Sequence, residues 1–364
     1  MGRRSLLCLL LIAASLCATA HPGTGLVIDK DGTIYFVDSV RNRIMKFKDG
    51  SLSVLFVDPS GERLSVPHHL FADGEGNLIT GSDRHHPMLK ISPDGTATKL
   101  YPSLGAEEPK ITMGGDPFAF APDGSLVFVH ADQFTFSKLF RLTADGKESF
   151  LAGGDKGHAD ERGADARFGS LHFSGMTFGP DGALYMTDSG TMVRKVEMDG
   201  TVTTIAGSTD QGYKDGKGSD ARFSGAVGLT VLKDGTIYVA EYGNRRIRKI
   251  SPDGNVSTVA GSGDYGTKDG PALQASFQDL SGVAVGPDGT VYTYEMGDRD
   301  RPRIRRITKS GEVETVVYVP AVSGGGPWIA ILGLAGIAVG GYLFVRRNAT
   351  RNAQQIDLRP TVVP

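Results

Sequence analysis

Six copies of one short pattern fill most of this chain, and this repetition constrains the fold more than any other feature. A glycine ahead of a short apolar run recurs at spacings of 44 to 58 residues, and five of the six read Asp-Gly. The six are Gly32, Gly76, Gly124, Gly182, Gly235 and Gly289. A second glycine follows each of them by 18 to 22 residues. Units of this length, repeated in tandem, are typical of repeat architectures such as propellers.

Each unit has the pattern of four short strands. In the fifth unit, residues 229–231, 236–240, 246–250 and 256–260 are rich in Val, Ile, Thr and Tyr and are separated by Asp-Gly turns. Such residues favour strands, and Asp-Gly favours tight reversals that need a positive φ. We therefore predict an all-β fold, a six-bladed β-propeller of four-stranded blades, with no strand exchanged between its ends at closure.

The repeats also resemble a known family. Residues 160–168, Asp-Glu-Arg-Gly-Ala-Asp-Ala-Arg-Phe, recur as Asp-Gly-Lys-Gly-Ser-Asp-Ala-Arg-Phe at 215–223 and more loosely at 269–277. Thr-Ile-Ala-Gly at 204–207 recurs as Thr-Val-Ala-Gly at 258–261. This pattern resembles the NHL repeat, most specifically in repeats four to six. The resemblance implies a six-bladed propeller, but the family includes binding modules and several enzymes, so it leaves the function open.

Both ends of the chain carry membrane-targeting patterns. Arg3 and Arg4, an apolar stretch and Ala18-Thr19-Ala20 predict a signal peptide over residues 1–20. Residues 328–345 carry no charge, and as a helix of about 27 Å they are long enough to cross a thin hydrocarbon core. Arginines follow immediately and predict a cytoplasmic end. The predicted order is signal peptide 1–20, exported propeller 21–320, glycine-rich linker 321–327, transmembrane helix 328–345 and cytoplasmic tail 346–364, with the propeller on the extracytoplasmic side.

Charge and cysteine content exclude several classes of function. Cys8 and Cys17 both fall in the predicted signal peptide, so the predicted mature chain has no disulfide, thiol nucleophile or zinc ribbon. The whole chain carries a net charge of −2, and its two ends hold five net positive charges, which leaves −7 for residues 21–323. An acidic exported domain is not expected to bind nucleic acid.

The antiparallel pattern brings the start of each first strand and the end of each second strand to the same mouth of the propeller. The position six residues after the turn glycine is polar in all six repeats and ionisable in five. We predict a ligand-binding mouth that contains Asp38, His68, Asp116, His130, Asp188, Glu241 and Glu295. The alternative is structural, since an acid at this position can accept N–H bonds from the adjoining loop.

Three of these residues are candidate metal ligands. Imidazole and carboxylate both ligate divalent cations, so His68, Asp116 and His130 form a candidate site for Ca²⁺ or Zn²⁺. Pro67-His68 resembles the Pro-His blade start of the NHL-type peptide amidating lyase, which implies a zinc site of three such histidines, and only His68 matches here. In gluconolactonase propellers, a second comparison, an asparagine that precedes the pattern glycine is one of the ligands of a divalent metal. No repeat of this sequence has that asparagine. The alternative is that these histidines lie on the surface without a ligand.

No complete catalytic set emerges from these patterns, and no catalytic residue is assigned. We therefore expect a membrane-tethered binding module for an extracytoplasmic protein, peptide or glycan. The alternative function is a metal-dependent lyase or hydrolase, similar to the amidating lyase or to the lactonases, with its site at the channel mouth.

Overall fold

A computed structural model of the chain describes residues 25–61, 63–64, 67, 69–73, 75–81, 88–100, 117–129, 137–143, 145–171, 174–296 and 301–319. These residues form six antiparallel sheets, each with four consecutive strands, and two of the sheets carry a fifth, very short strand at the outer edge. The all-β, six-bladed, four-stranded architecture expected from the repeats is therefore confirmed.

The blades follow one another in chain order, and the strands of each blade are given from the innermost to the outermost. Blade 1 contains Leu26–Ile28, Ile34–Asp38, Arg43–Lys48 and Ser51–Val57. Blade 2 contains His69–Ala72, Leu78–Gly81, Leu89–Ile91 and Ala97–Lys99. Blade 3 contains Phe118–Phe120, Leu126–Val129, Leu139–Leu142 and Glu148–Ala152. Blade 4 contains Met176–Phe178, Leu184–Asp188, Met192–Val196 and Val202–Gly207. Blade 5 contains Ala226–Val231, Ile237–Glu241, Arg246–Ile250 and Asn255–Ala260. Blade 6 contains Leu280–Val285, Val291–Glu295, Arg303–Ile307 and Glu312–Tyr318.

The Asp-Gly turns fix the hairpins within each blade. In blade 5, Gly235 has φ +84°, a conformation that is accessible to glycine without a steric penalty. The carboxylate of Asp234 accepts the Thr236 N–H at 2.9 Å, which closes the turn. The apolar side chains of the flanking strands then lie in the core between neighbouring blades.

The antiparallel order gives the propeller two unlike ends. Short turns join the first strand to the second and the third to the fourth at one end, which we call the turn face. The links between the second and third strands and the connections to the next blade lie at the opposite end, which we call the loop face. Larger insertions fall on the loop face, where functional residues of such scaffolds concentrate.

The ring closes by packing between blades 6 and 1. Among the residues between 25 and 319 that the structure describes, neither sheet takes a strand from the other end of the chain, as the repeat pattern predicts. One apolar cluster contains Phe36 and Ile44 of blade 1 together with Ile304 and Val317 of blade 6, all with 1% exposure or less. Tyr294 also donates its hydroxyl to the Val37 carbonyl at 3.2 Å. In the described part of the ring, the closure therefore combines apolar burial with the hydrogen bond from Tyr294 to Val37.

Two very short strands extend the outer edges of blades 5 and 6. Gly216–Lys217 pairs with the fourth strand of blade 5, and Gly270–Pro271 pairs with the fourth strand of blade 6. An isolated bridge between Arg162 and Thr201 takes the same place in blade 4. The four-strand pattern did not anticipate these additions, because two residues are too few to give an alternating sequence signal.

The predicted signal peptide and the predicted transmembrane helix lie outside the described residues. In the part of the chain that the structure describes, no helix has the length and apolar character needed to cross a membrane.

Closure by packing predicts a graded response to substitution. We expect Tyr294→Phe to lower the free energy of unfolding by about 1 kcal/mol, the net worth of one hydrogen bond. Ile304→Ala should lower it by roughly 2–5 kcal/mol because it opens a cavity in the closing core. Denaturant titrations would measure both, with Tyr242→Phe, at a side chain 48% exposed, as the control. A loss below about 1 kcal/mol for Ile304→Ala would contradict closure by packing.

Candidate functional site

Four of the predicted mouth residues take equivalent places on the loop face. Asp38, Asp188, Glu241 and Glu295 each end the second strand of their blade, in blades 1, 4, 5 and 6. Their exposed fractions are 1% or less. Carboxylates so deeply buried require partners, since an isolated buried charge is costly.

Buried arginines on the neighbouring strands provide that partnership in blades 4 to 6. Arg194 Nη1 lies 2.8 Å from Asp188 Oδ2, and Arg248 Nη1 lies 2.9 Å from Glu241 Oε2. In blade 6 the distance between Arg305 Nη1 and Glu295 Oε1 is 3.6 Å. All three arginine side chains have 0% exposure. Blades 4, 5 and 6 therefore each hold their own buried acid–arginine pair.

The aspartate that begins the repeated motif of residues 160–168, 215–223 and 269–277 supplies the second carboxylate to each arginine. In blade 5, Arg248 Nη2 donates to Asp215 Oδ1 at 2.6 Å, and the same carboxylate accepts the N–H of Thr258 at 3.1 Å. Thr258 is the cross-strand partner of Arg248. The same contacts join Arg194, Asp160 and Thr204 in blade 4 and Arg305, Asp269 and Thr315 in blade 6. We call this arrangement the arginine clamp.

The phenylalanine that ends the motif stacks on the same guanidinium. The arginine Cζ to ring-centroid distances are 5.3 Å for Phe168, 5.1 Å for Phe223 and 4.7 Å for Phe277. A ring face beside a desolvated cation is favourable. The motif aspartate and the phenylalanine both contact the same arginine, and this explains why the spacing between them is the same in blades 4, 5 and 6.

Blades 1 to 3 lack the clamp. Apolar residues replace the arginine at the same register position, namely Met45, Leu89 and Phe140. In blade 1, Asp38 is paired instead by Arg41 at 3.0 Å and by Arg43 at 2.7 Å, whose side chains are partly exposed. The acid is thus retained in blade 1 with different partners.

These contacts give the four acids a structural role, which was the alternative considered for them. Arginine and backbone N–H groups already compensate their charge: Gly169 donates to Asp188 at 2.9 Å and Ser224 donates to Glu241 at 2.8 Å. The charge compensation of these acids therefore comes from the protein itself. Their assignment as ligand contacts stays a prediction.

The candidate metal ligands His68, Asp116 and His130 lie outside the described residues, so the structure does not bring them together or separate them. Their described neighbours Pro67 and Val129 lie at the loop face, where Ser39 donates its hydroxyl to the Pro67 carbonyl at 2.5 Å. Within the described ranges, no group of three or more His, Cys, Asp or Glu side chains is arranged to hold a metal ion.

Glu295 is the acid with the weakest compensation. Its Oε2 accepts the Gln278 N–H at 2.8 Å, but among the described residues no hydrogen bond reaches Oε1. Burial raises the pKa of Glu295 to about 7, and the nearby guanidiniums of Arg305 and Arg303 only partly oppose that shift. Burial also raises the pKa of Glu241.

A second feature of the loop face did not come from the sequence. Tyr213, Tyr242 and Tyr265 are 48%, 48% and 49% exposed. Arg246 lies over the Tyr213 ring at 3.9 Å and Arg245 over the Tyr265 ring at 5.5 Å. We call these five residues the tyrosine surface, which lies on the loop face of blades 5 and 6.

Hydrogen bonds hold the side chains of Tyr213, Tyr265, Arg245 and Arg246 in the tyrosine surface. Tyr213 shares a 3.0 Å hydroxyl contact with Thr258, and Tyr265 donates to Asp279 at 3.4 Å. Arg246 donates to the carbonyls of Asn244 and Ser262, and Arg245 donates to the Gly263 carbonyl at 3.3 Å. The sequence signal was the placement of Tyr213 and Tyr265 in glycine-rich loops just ahead of a motif aspartate, where no core packing requires an aromatic residue.

Known proteins resemble parts of this chain at low sequence identity. No family model matches it. Teneurin-4 from Mus musculus is 28% identical over 291 residues, which cover 72% of this chain and 10% of the teneurin. Protein SUPPRESSOR OF QUENCHING 1, chloroplastic, from Arabidopsis thaliana is 28% identical over 159 residues, which cover 41% of this chain and 15% of that protein. The chain therefore corresponds to a small part of these relatives.

Solved structures give the same picture. A protein of unknown function from Bacteroides thetaiotaomicron superposes with a TM-score of 0.56 at 19% identity, over 78% of this chain and 69% of that chain. An auxiliary nutrient binding protein from Bacteroides ovatus gives 0.54 at 15% identity, over 81% and 72%. A streptogramin B lyase gives 0.51 at 17% identity, over 87% and 93%. At these identities the likeness shows the fold alone.

The arginine clamp predicts that Arg248→Met destabilises the protein by roughly 3–5 kcal/mol, because Glu241 is left buried without its cation. Methionine fits this register position in blade 1, where Met45 is fully buried. Adding Glu241→Gln should recover part of the loss, since the uncompensated charge is then gone. Denaturant unfolding would measure both variants, and a change below about 1 kcal/mol for Arg248→Met would contradict the role of the clamp.

The raised pKa of Glu295 predicts a pH dependence of stability. Between its ordinary value of 4.5 and about 7, the folded protein binds more protons than the unfolded chain. The contribution of Glu295 to the free energy of unfolding is therefore full below pH 4.5 and is lost as the pH rises through 7.

Glu295→Gln should accordingly make the decline in stability between pH 5 and 7 shallower than in the parent protein. Asp253→Asn is the control, because a side-chain bond from Ser251 lowers the pKa of that exposed acid and its titration falls below this range. Equal slopes for the parent and Glu295→Gln in urea titrations at several pH values would show that Glu295 does not bind this proton.

Proposed function

We propose that this chain is a binding module whose tyrosine surface contacts a protein partner. The observation that carries the proposal is the group of three half-exposed tyrosines on the loop face of blades 5 and 6, of which Tyr213 and Tyr265 stack with arginines. Tyrosine and arginine are, with tryptophan, the residue types enriched among the side chains that dominate binding energy at protein interfaces. A single monomer has no packing reason to expose three such rings together.

The rigidity of this surface also supports a role in binding. Arg245 and Arg246 are held by loop carbonyls, and Tyr213 and Tyr265 are held by their hydroxyl contacts. Side chains ordered before association lose little entropy when a partner binds. The arginine clamp directly below Tyr213 fixes the strands that carry these loops, with Arg248 5.1 Å from the ring centroid.

We also propose that the repeats are NHL repeats. Support comes from the shared function of the motif residues in blades 4 to 6, where aspartate and phenylalanine both contact one buried arginine. The alignment with teneurins over most of the propeller is compatible with this assignment.

The cellular setting remains as proposed from the sequence. The propeller is exported by a signal peptide over residues 1–20 and tethered by residues 328–345, so its protein partner is extracytoplasmic. A peptide or glycan ligand and the metal-dependent lyase or hydrolase alternative, with Ca²⁺ or Zn²⁺ at His68, Asp116 and His130, depend on sequence patterns alone.

Site-specific photocrosslinking tests the binding surface. Benzoylphenylalanine is placed at position 242 or 265 of the full chain in the cells that produce it, and at position 150 as the control, where Phe150 is 42% exposed on the outer strand of blade 3. We expect a discrete crosslinked protein from positions 242 and 265 and none from position 150. The crosslinked protein is then purified for equilibrium binding.

In that binding assay, the double variant Tyr242→Ala with Tyr265→Ala should raise Kd by at least about 30-fold, the effect of losing about 2 kcal/mol at an interface hot spot. Phe150→Ala should leave Kd unchanged. Crosslinks at position 150 alone, or an unchanged Kd for the double variant, would refute the tyrosine surface as the binding site.

A further inference from the structure

Tyr265 of the tyrosine surface is held by residues from two blades. Its hydroxyl donates to Asp279 Oδ2 at 3.4 Å, in the segment that leads into blade 6. The guanidinium of Arg245, in the loop between the second and third strands of blade 5, lies 5.5 Å from its ring centroid. Its backbone pairs with Phe277, whose ring stacks on Arg305 of the clamp. A side chain that is 49% exposed is therefore fixed at its backbone, its ring and its hydroxyl.

Two of these contacts come from residues with an unusual backbone conformation. Asp279 has φ +41° and Arg245 has φ +53°. A residue with a Cβ atom is sterically disfavoured in this left-handed region, whereas glycine is not. Among the described residues, five non-glycine residues have a positive φ, and two of the five contact the side chain of Tyr265. Strained residues of this kind concentrate at functional sites.

The position of Asp279 is occupied by glycine in blade 5. Gly225 and Asp279 each come directly before the first strand of their blade, at φ +62° and +41°. The carbonyl of Gly225 accepts the Tyr242 N–H at 2.8 Å. In the same way, the carbonyl of Asp279 accepts the Met296 N–H at 3.2 Å. The two backbones therefore make the same contact, and glycine suffices for it. The aspartate adds a carboxylate that reaches Tyr265.

The position of Arg245 is occupied by asparagine in blade 1. Asn42 and Arg245 each stand one residue before the start of the third strand. Asn42 has φ +48°, and asparagine tolerates this region better than residues with longer side chains. Arginine has no backbone advantage at this place, but its guanidinium reaches the Tyr265 ring. The side chain of Arg245, and not its backbone, therefore accounts for its presence.

We propose that Asp279 and Arg245 are positioning residues, kept in a strained backbone conformation because they hold the Tyr265 ring in the orientation in which it binds the partner. This inference rests on the proposed function of the tyrosine surface and assigns Tyr265 as the main anchor of that surface. A ring that is ordered before association loses little entropy when the partner binds. The strain lowers stability and the ordered ring raises affinity, a combination that is common at binding sites.

Matched alanine and glycine variants separate the backbone of Asp279 from its side chain. Asp279→Ala loses the carboxylate and keeps the strain, whereas Asp279→Gly loses both. In urea titrations, the unfolding equilibrium constant of Asp279→Gly should be at least about twofold smaller than that of Asp279→Ala, because glycine has no steric penalty at positive φ. Asp49 is the control, with φ +49° in a turn-face hairpin of blade 1. The same difference is expected between Asp49→Gly and Asp49→Ala.

Equilibrium binding to the crosslinked protein tests the two side chains. Asp279→Ala, Asp279→Gly and Arg245→Asn should each raise Kd by about tenfold. Asp279→Asn keeps a hydrogen-bond acceptor and should stay within about threefold of the parent. Both Asp49 variants should leave Kd unchanged.

Fluorine NMR of the full chain reports on the ring without any partner. With fluorotyrosine at position 265, Asp279→Ala, Asp279→Gly and Arg245→Asn should each move the resonance toward that of the free amino acid, because the ring is no longer held. Asp279→Asn should leave the resonance close to its place in the parent chain. An unchanged resonance in Asp279→Gly would overturn the positioning role.

The binding outcomes distinguish this proposal from the proposed function. If Tyr265→Ala raises Kd while Asp279→Gly and Arg245→Asn do not, the positioning role is refuted and the tyrosine surface remains the binding site. If Tyr265→Ala leaves Kd unchanged but the double variant with Tyr242→Ala raises it, Tyr265 is not the anchor. An unchanged Kd in both refutes the tyrosine surface itself. Equal unfolding constants for Asp279→Gly and Asp279→Ala would show that the backbone is not strained.

Discussion

The buried arginine of blades 4 to 6 is the interaction on which the organisation of those blades depends. One guanidinium joins an acid at the end of the second strand, an aspartate in the arriving loop and a phenylalanine ring, and that aspartate in turn accepts a hydrogen bond from a threonine of the outer strand. Buried ion pairs add little stability compared with apolar packing, but the loss of one partner is costly because the other stays desolvated. We interpret the main role of the clamp as positioning the arriving loop. It fixes where that loop crosses the blade and therefore where the exposed tyrosines lie.

The two halves of the ring solve the same packing problem differently. Blades 1 to 3 place Met45, Leu89 and Phe140 where the other blades have arginine, so no second carboxylate is needed from the arriving loop. An apolar residue makes contacts without directional bonds, and loops over these blades are free to differ in length and sequence. Blades 4 to 6 therefore hold their loops in place through the clamp, whereas the repeats of blades 2 and 3 contain His68 and His130.

Much of the fold was predictable because the features that determine it are local. Asp-Gly turns and β-branched runs are read from neighbouring residues, and they gave the blade number, the strand order and the closure without exchange. The site was less predictable because its chemistry is long-range. Arg248 meets Asp215 across 33 residues of sequence and Glu241 across 7, so an acid that seemed available for a ligand is neutralised within the fold. Tyr242 follows Glu241 in the sequence, yet only the burial of one and the exposure of the other distinguish their roles.

The clamp also shifts the boundaries of the unit that could be duplicated or permuted. A blade counted from its first strand leaves its motif aspartate behind on the preceding unit, because Asp215 lies ahead of the strand that begins at Ala226. A unit divided in this way would contain Arg248 without Asp215, one of its two carboxylate partners. A unit counted from the aspartate, residues 215–261, instead contains every charged partner of its own guanidinium. If the chain is divided just before the motif, in the loop between sheets, each unit therefore keeps both carboxylates that pair with its arginine. This holds for new termini and for tandem copies alike.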